Sequence, residues 1–154
     1  MRAEIVEKIS RFAQGKPIKT KELKIAEDEQ SSLAIIFDES EQIYLGRKGK
    51  DEYFPLLKDQ FILQDLPQIT VDSGAVKFVC NGANIMRPGI VKVDGNFPAS
   101  SLVVVKEEKY GKQIAVGKSL LSNSEIQALN KGPVIENLHY VGDKYWDLLK
   151  QLQT

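Results

Sequence analysis

VDSGAVKFVCNGANIMRPGI, residues 71–90, marks a change in the texture of the chain. Val76, Phe78 and Cys80 alternate at period two, the spacing that sets side chains on one face of a strand. Asn81 and Gly82 follow at the strand's end, where a glycine lets another backbone come close, and Asn84 offers both donors and acceptors. A short helical turn through Ala83 to Met86 is then stopped by Pro88-Gly89. This geometry sets amide N–H groups and Arg87 at one edge of a sheet, a surface suited to a phosphate or a single-stranded end. An ordinary helix-to-strand corner accounts for the same pattern, so the residues alone leave both readings open.

Downstream, PGIVKVDG, SLVVVKEE and KQIAVGKSLL are short apolar stretches punctuated by Gly, Pro and Asn. Several short strands at such spacing predict a small sheet closing into a barrel. One helix interrupts it: Ser122 with Glu125 three residues on is a capping box, Ile126 and Leu129 supply the buried face, and Gly132-Pro133 ends it. The last element, Lys144 to Gln151, is a terminal helix or a strand running into one, and periodicity leaves that open.

Upstream, Ile5, Val6, Ile9, Phe12 and Ala13 fall on one face of a 3.6-period helix over residues 2–14, ended by Gly15 and Pro17. SLAIIFD (32–38) and QIYLG (42–46) are β-branched or aromatic runs around a short polar stretch, which predicts a hairpin. The basic loop Arg47 to Lys50 leads to YFPLL and FILQDLPQITV, interrupted by Pro55 and Pro67, and this first half ends near Val71.

The chain has 154 residues, 42% of them hydrophobic, which suits a globular fold. Its 21 basic and 21 acidic residues cancel, which excludes binding a polyanion by bulk positive charge. Residues 1–71 hold 11 basic and 13 acidic residues and 72–154 hold 10 and 8, so the second half is the anion-facing one. No apolar run approaches the ~20 residues of a membrane span and the N-terminus is unlike a secretory signal, so a cytoplasmic protein is expected. One cysteine and one histidine exclude an intrachain disulfide and a Cys/His zinc site, and no metal or cofactor is expected.

Three motifs weaken on inspection. GKQIAVGKS (111–119) ends like a phosphate loop, but five residues rather than four separate its glycines and its interior is an apolar strand. Gly46-Arg47-Lys48-Gly49 matches a GXXG RNA clamp, yet the clamp joins two helices and Ile43 to Leu45 reads as a strand; a basic hairpin turn fits better. A hydrolase using His139 with Ser119 or Ser122 lacks a second histidine and a nucleophile elbow. Cys80 reads as a buried inert thiol, and His139, Tyr140 and Trp146 as core aromatics rather than base-stacking groups.

From about Val71 to Trp146 the chain resembles a PUA domain, the RNA-binding module named after pseudouridine synthases and archaeosine transglycosylases. The carriers are VDSGAVKFVCNGANIMRPGI (71–90), FPASSLVVV (97–105), IAVGKSLLSNSEI (114–126) and NKGPVIENLHYVGDKYW (130–146), in that order. With EYFPLLKDQFIL (52–63) upstream, it is similar to the malignant T-cell-amplified-sequence family, as a short member of archaeal type. Arg87 departs from the uncharged residue expected in eukaryotic members, and the N-terminal half is shorter than theirs. The resemblance implies an α+β fold: an N-terminal α/β pre-PUA domain over residues 1–70, then a PUA β-pseudobarrel with short helices over 71–154.

In that family RNA contacts cluster on the first helix, the following strand and nearby loops. Carried over, Asn81, Gly82, Ala83 and Asn84 approach the RNA backbone, Arg87 and Gly89 stand at the start of the next strand, and Lys77, Lys92 and Lys131 meet phosphates. The expectation is a non-enzymatic RNA-binding factor of translation that holds tRNA or rRNA on the small ribosomal subunit and has a protein partner. The alternative is an accessory RNA-binding subunit of a pseudouridine- or archaeosine-type modification enzyme.

Overall fold

The structure is a computed structural model that describes residues 23–39, 42–59 and 61–152. Among these, ten strands form two sheets. The first is an antiparallel meander of β1 (Lys24–Glu27), β2 (Ala34–Asp38), β3 (Ile43–Lys48) and β4 (Glu52–Pro55) in sequence order. β2 is buried along its whole length, which is why AIIFD is an unbroken run rather than an alternating one. The predicted hairpin is β2–β3, with Ala34 opposite Arg47 and Asp38 opposite Ile43. The basic turn expected over GRKG is largely strand: Gly46, Arg47 and Lys48 end β3 and pair with β4, and only Gly49, at φ +66°, enters the turn. The opening helix expected over residues 2–14 lies outside the described residues.

The second sheet holds β5 (Gln68–Val71), β6 (Ile85–Met86), β7 (Ile90–Asp94), β8 (Leu102–Glu107), β9 (Gln113–Ser119) and β10 (Pro133–Tyr140) in the order β6-β10-β9-β8-β5-β7. β5 runs parallel to β8 and the other pairs are antiparallel. The outer strands β6 and β7 are joined only by the 3-10 turn Arg87–Gly89, so the sheet must curl until its two edges meet. The result is the expected half-barrel in an α+β chain.

Three helices complete it: α1 (Val76–Val79), α2 (Asn123–Ala128) and α3 (Lys144–Leu152). α2 carries the predicted capping box between Ser122 and Glu125, and buries Ile126. α3 resolves the open end of the chain as a helix, burying Tyr145 and Leu149 one turn apart.

α1 corrects the strand expected over VKFVCNG. Asp72 accepts the Ala75 N–H at 2.9 Å and starts a 3-10 turn that runs into the helix. Val76, Val79 and Cys80 then face the core at helical spacing, and Phe78 is left 58% exposed instead of sharing a face with Cys80. The helical turn expected over Ala83 to Met86 is likewise absent. Gly82 at φ +95° ends α1, the chain is extended by Ile85, and β6 pairs with β10.

β8 shows how the layers share one strand. Val103 and Val105 point into the half-barrel with Ile69 and Ile135, while Val104 joins Val116 against Ile36 and Leu45 of the first sheet. The far face of the first sheet is covered by the C-terminus, where Tyr145 and Leu149 pack on Ile35 and Phe54. Tyr145 sets its ring edge 5.3 Å from the Phe54 centroid and donates its hydroxyl to the Arg47 carbonyl at 3.0 Å. The apolar interior thus lies in three layers, inside the half-barrel, between the two sheets and beneath α3.

Candidate nucleic-acid interface

Strand register defines one end of the half-barrel. Val71 lies opposite both Glu107 and Ile90, Lys106 opposite Gln113, and Tyr140 opposite Ala115. The ends of β5, β8 and β10 and the starts of β7 and β9 therefore meet there, and α1 packs against β9.

The turn after α1 is tightly built. Asn81 N–H and Ala83 N–H donate to the Phe78 carbonyl at 3.1 and 3.0 Å, and Gly82 N–H donates to Val79 at 3.1 Å. A Cβ on Gly82 would stand 3.3 Å from Tyr140 Oη, so close approach and the positive φ both call for glycine. Those three amides, expected at the edge for a phosphate, are instead spent on α1's carbonyls. What the turn offers outward is the exposed backbone and side chains of residues 81–84.

Asn137 pins this turn. Its Nδ2 donates to the carbonyls of Val79 and Ala83, each at 3.0 Å, and its backbone N–H donates to Asn84 Oδ1 at 3.0 Å. β10 shifts register just here, between Asn137 and His139. Sequence reasoning missed Asn137, and the one available signal was a polar amide inside an otherwise apolar strand.

Lys77 is exposed on α1, with Nζ 5.1 Å from the Phe78 ring centroid. Lys77, Asn81, Gly82, Ala83 and Asn84 are thus brought together. Gly89 backs onto the start of α1, its carbonyl accepting Asp72 N–H at 2.9 Å. Arg87 stands elsewhere, at the start of β10: its N–H donates to the Gly132 carbonyl at 2.8 Å, its Nε to Ile126 at 2.7 Å and its Nη1 to Ile90 at 3.3 Å. The guanidinium braces α2 against β7. Lys131 is exposed beside that corner, and Lys92 lies on the outer strand 3.6 Å from Asp94.

The catalytic alternatives find no assembly. His139 is fully buried, its Nδ1–H donating to the Asp143 carboxylate at 2.9 Å, and Asp143 also accepts Tyr140 N–H and Trp146 N–H at the start of α3. Ser119 Oγ accepts Ser101 N–H, Ser122 caps α2, and neither bonds the imidazole. Of GKQIAVGKS, Gln113–Ser119 is strand β9, and Gly111 and Lys112 lie in the turn before it. Burial pushes the Cys80 thiol up, the Lys112 ammonium offsetting part of the effect. Among the described residues no group of three or more His, Cys, Asp or Glu could hold a metal ion, and no helix is long and apolar enough to cross a membrane.

A PUA domain model matches residues 67–141. Over 103 residues the chain is 44% identical to an uncharacterized protein of Methanocaldococcus jannaschii, a match covering 65% of this chain and 62% of that one. It is 36% identical over 104 residues to Translation machinery-associated protein 20 of Saccharomyces cerevisiae, covering 63% and 58%. It is 38% identical over 116 residues to Malignant T-cell-amplified sequence 2 of Homo sapiens, covering 71% and 62%. The matches thus span less than two thirds of these relatives' own lengths. A solved structure of a hypothetical protein from Pyrococcus horikoshii superposes with a TM-score of 0.76 at 32% identity, covering 96% of both chains.

Proposed function

Because residues 67–141 match a PUA domain model and the chain is 36–38% identical to Translation machinery-associated protein 20 and Malignant T-cell-amplified sequence 2 over the matched parts, we propose that it is a translation-associated RNA-binding protein of their family, without enzymatic activity. Its ligand in this reading is a structured RNA, tRNA or rRNA, held at the small ribosomal subunit in the cytoplasm. Residues 71–154 form the RNA-binding unit and residues 1–70 contact the ribosome or a protein partner.

The observation that carries the reading is the pinned turn Asn81–Asn84 beside Lys77. It exposes a fixed backbone edge next to a free cation, which suits an RNA backbone approached closely at one point. Gly89 lies beside the start of α1, and Lys92, Lys131 and Arg87 are kept as outlying contacts away from the turn. With so few cations, affinity is modest and steeply salt-dependent only over a few phosphates.

Fluorescence anisotropy with tRNA against salt tests this. The expected slope of log K on log salt is roughly −2 to −4, and Lys77→Glu flattens it by about one and weakens binding at low salt. Absence of binding at low salt, or a Lys77→Glu variant that binds like the native protein, refutes the assignment. Arg87 is the poorer probe, since its replacement strands the Ile126 and Ile90 carbonyls. The accessory-subunit reading is separated by co-purification: ribosomal subunits support translation, and a modification enzyme supports the alternative. The names of the yeast and human relatives favour the first.

A further inference from the structure

The α1 surface leaves unused the side chain that is most exposed among the large apolar and aromatic ones described. Tyr110, at the tip of the β8–β9 turn, is 80% exposed. Its exposure is built in. Glu107, 8% exposed at the end of β8, turns its carboxylate into the loop: Oε1 accepts Tyr110 N–H and Lys112 N–H at 2.8 Å each, and Oε2 accepts Lys109 N–H at 3.0 Å. Two backbone bonds close the same loop, Glu107 N–H to the Lys112 carbonyl at 3.0 Å and Gly111 N–H to the Glu107 carbonyl at 3.1 Å. Gly111 supplies the left-handed residue at φ +69°. The N–H groups hold the Glu107 carboxyl below the usual carboxylate range, so the clamp is closed at neutral pH.

The turn belongs to the same end of the half-barrel as α1. Glu108 N–H donates to the Val71 carbonyl at 3.0 Å, one residue before the Asp72 cap that leads into α1. Lys112 is close enough to Cys80, at the end of α1, for its charge to act on the thiol. A second lysine–aromatic pair therefore stands at the same end of the half-barrel as Lys77 and Phe78, with Lys109 Nζ 5.2 Å from the Tyr110 ring centroid.

An aromatic ring held in water by a preordered turn, with an ammonium on one face, leaves its other face open for stacking. Exposed lysines at 109 and 112 flank it. A ligand that uses stacking and cations together is a single-stranded nucleic acid, whose bases supply π-faces and whose phosphates supply charge. We propose that the Glu107-clamped turn is a second arm of the RNA interface, in which Tyr110 stacks on an unpaired base while Lys109 and Lys112 meet the adjoining phosphates. The inference rests on the RNA-binding reading above and narrows its ligand to an RNA that carries a single-stranded segment beside a helix.

The test compares a labelled RNA hairpin bearing a short single-stranded 3′ extension with the same hairpin made blunt. Tyr110→Ala is expected to weaken binding of the extended hairpin about 5- to 100-fold. Tyr110→Phe restores it, and the blunt hairpin is bound equally by all three proteins. A 2-aminopurine in the extension loses fluorescence on binding the native protein and Tyr110→Phe, but not on binding Tyr110→Ala. If Tyr110→Ala binds the extended hairpin like the native protein while Lys77→Glu weakens both RNAs, the arm is refuted and the α1 site stands. Equal weakening of both hairpins by Tyr110→Ala overturns the unpaired-base assignment, and a native protein that binds neither hairpin at low salt overturns both readings.

Discussion

Replacing Asn137 with alanine removes the two amide bonds that hold the turn after α1, those from Nδ2 to the carbonyls of Val79 and Ala83. The backbone bond from Asn137 N–H to Asn84 Oδ1 survives, so the loss is confined to the side chain. Each intramolecular hydrogen bond nets about 0.5–1.5 kcal/mol, which puts the pair near ~2 kcal/mol. For a chain of this size ~1 kcal/mol moves the melting temperature by about 2–4 °C, so Asn137→Ala is expected to melt roughly 4–8 °C lower. The damage should also be local. Amide exchange at Gly82 and Ala83, whose N–H groups bond into α1, is expected to quicken more than exchange in the strands of the first sheet. Asn137→Asp sharpens the test: it keeps the volume but sets a carboxylate against two carbonyl dipoles, and should cost at least as much. A melting temperature within about 1 °C of the native value, with unchanged exchange at Gly82 and Ala83, would show that the turn is held by something else.

Gly117→Ala places a methyl group 2.5 Å from Ile135 Cγ2 and 2.7 Å from the Glu136 carbonyl oxygen on the adjacent strand. That overpacking is expected to cost about 1–3 kcal/mol in urea unfolding, and a neutral result would mean β9 and β10 slide apart freely. Burial, with the charges of Asp143 and Glu52, pushes the Tyr145 phenol up to about 12 from 10.0. An acid whose folded value is raised keeps its proton while the unfolded chain loses its own, so stability falls as pH climbs from about 10 toward 12. Tyr145→Phe should abolish that alkaline loss, and a native phenol titrating near 10 in spectrophotometry would contradict it.

Elements decided by local rules were legible in the sequence. The β2–β3 hairpin followed from two β-branched runs around a polar break, α2 from its Ser122–Glu125 box, and β9 from an apolar interior that no phosphate loop tolerates. α1 was not legible, because four residues are too few to separate period two from period 3.6. Val76, Phe78 and Cys80 satisfy one, and Val76, Val79 and Cys80 the other. The Asp72 cap settles the matter, and a capping aspartate looks like any loop aspartate in a string. The site's supports were hidden for a different reason. Asn137 bonds Asn84 across 53 positions and Arg87 bonds Ile126 across 39, so no local spacing carries either contact. Arg87 in particular has the chemistry of a phosphate fork, and only tertiary structure reveals that two of its nitrogens are given to carbonyls.

The balance of 21 basic and 21 acidic residues takes on a different meaning once these supports are known. At the α1 end three acids turn toward backbone donors, Asp72 to Ala75, Glu107 to three amides of its own loop and Asp143 to Tyr140 and Trp146, while Glu108 is exposed. N–H dipoles aimed at a carboxylate offset part of its field at the surface. Lys77, Lys109 and Lys112 stand instead on long stems in water, where an approaching ligand can reach them. A formally neutral chain can therefore present a locally positive end without excess lysine. Such an end attracts RNA weakly wherever it is met, so selectivity has to come from the shape of the Asn81–Asn84 edge and from what its aromatic rings can stack upon.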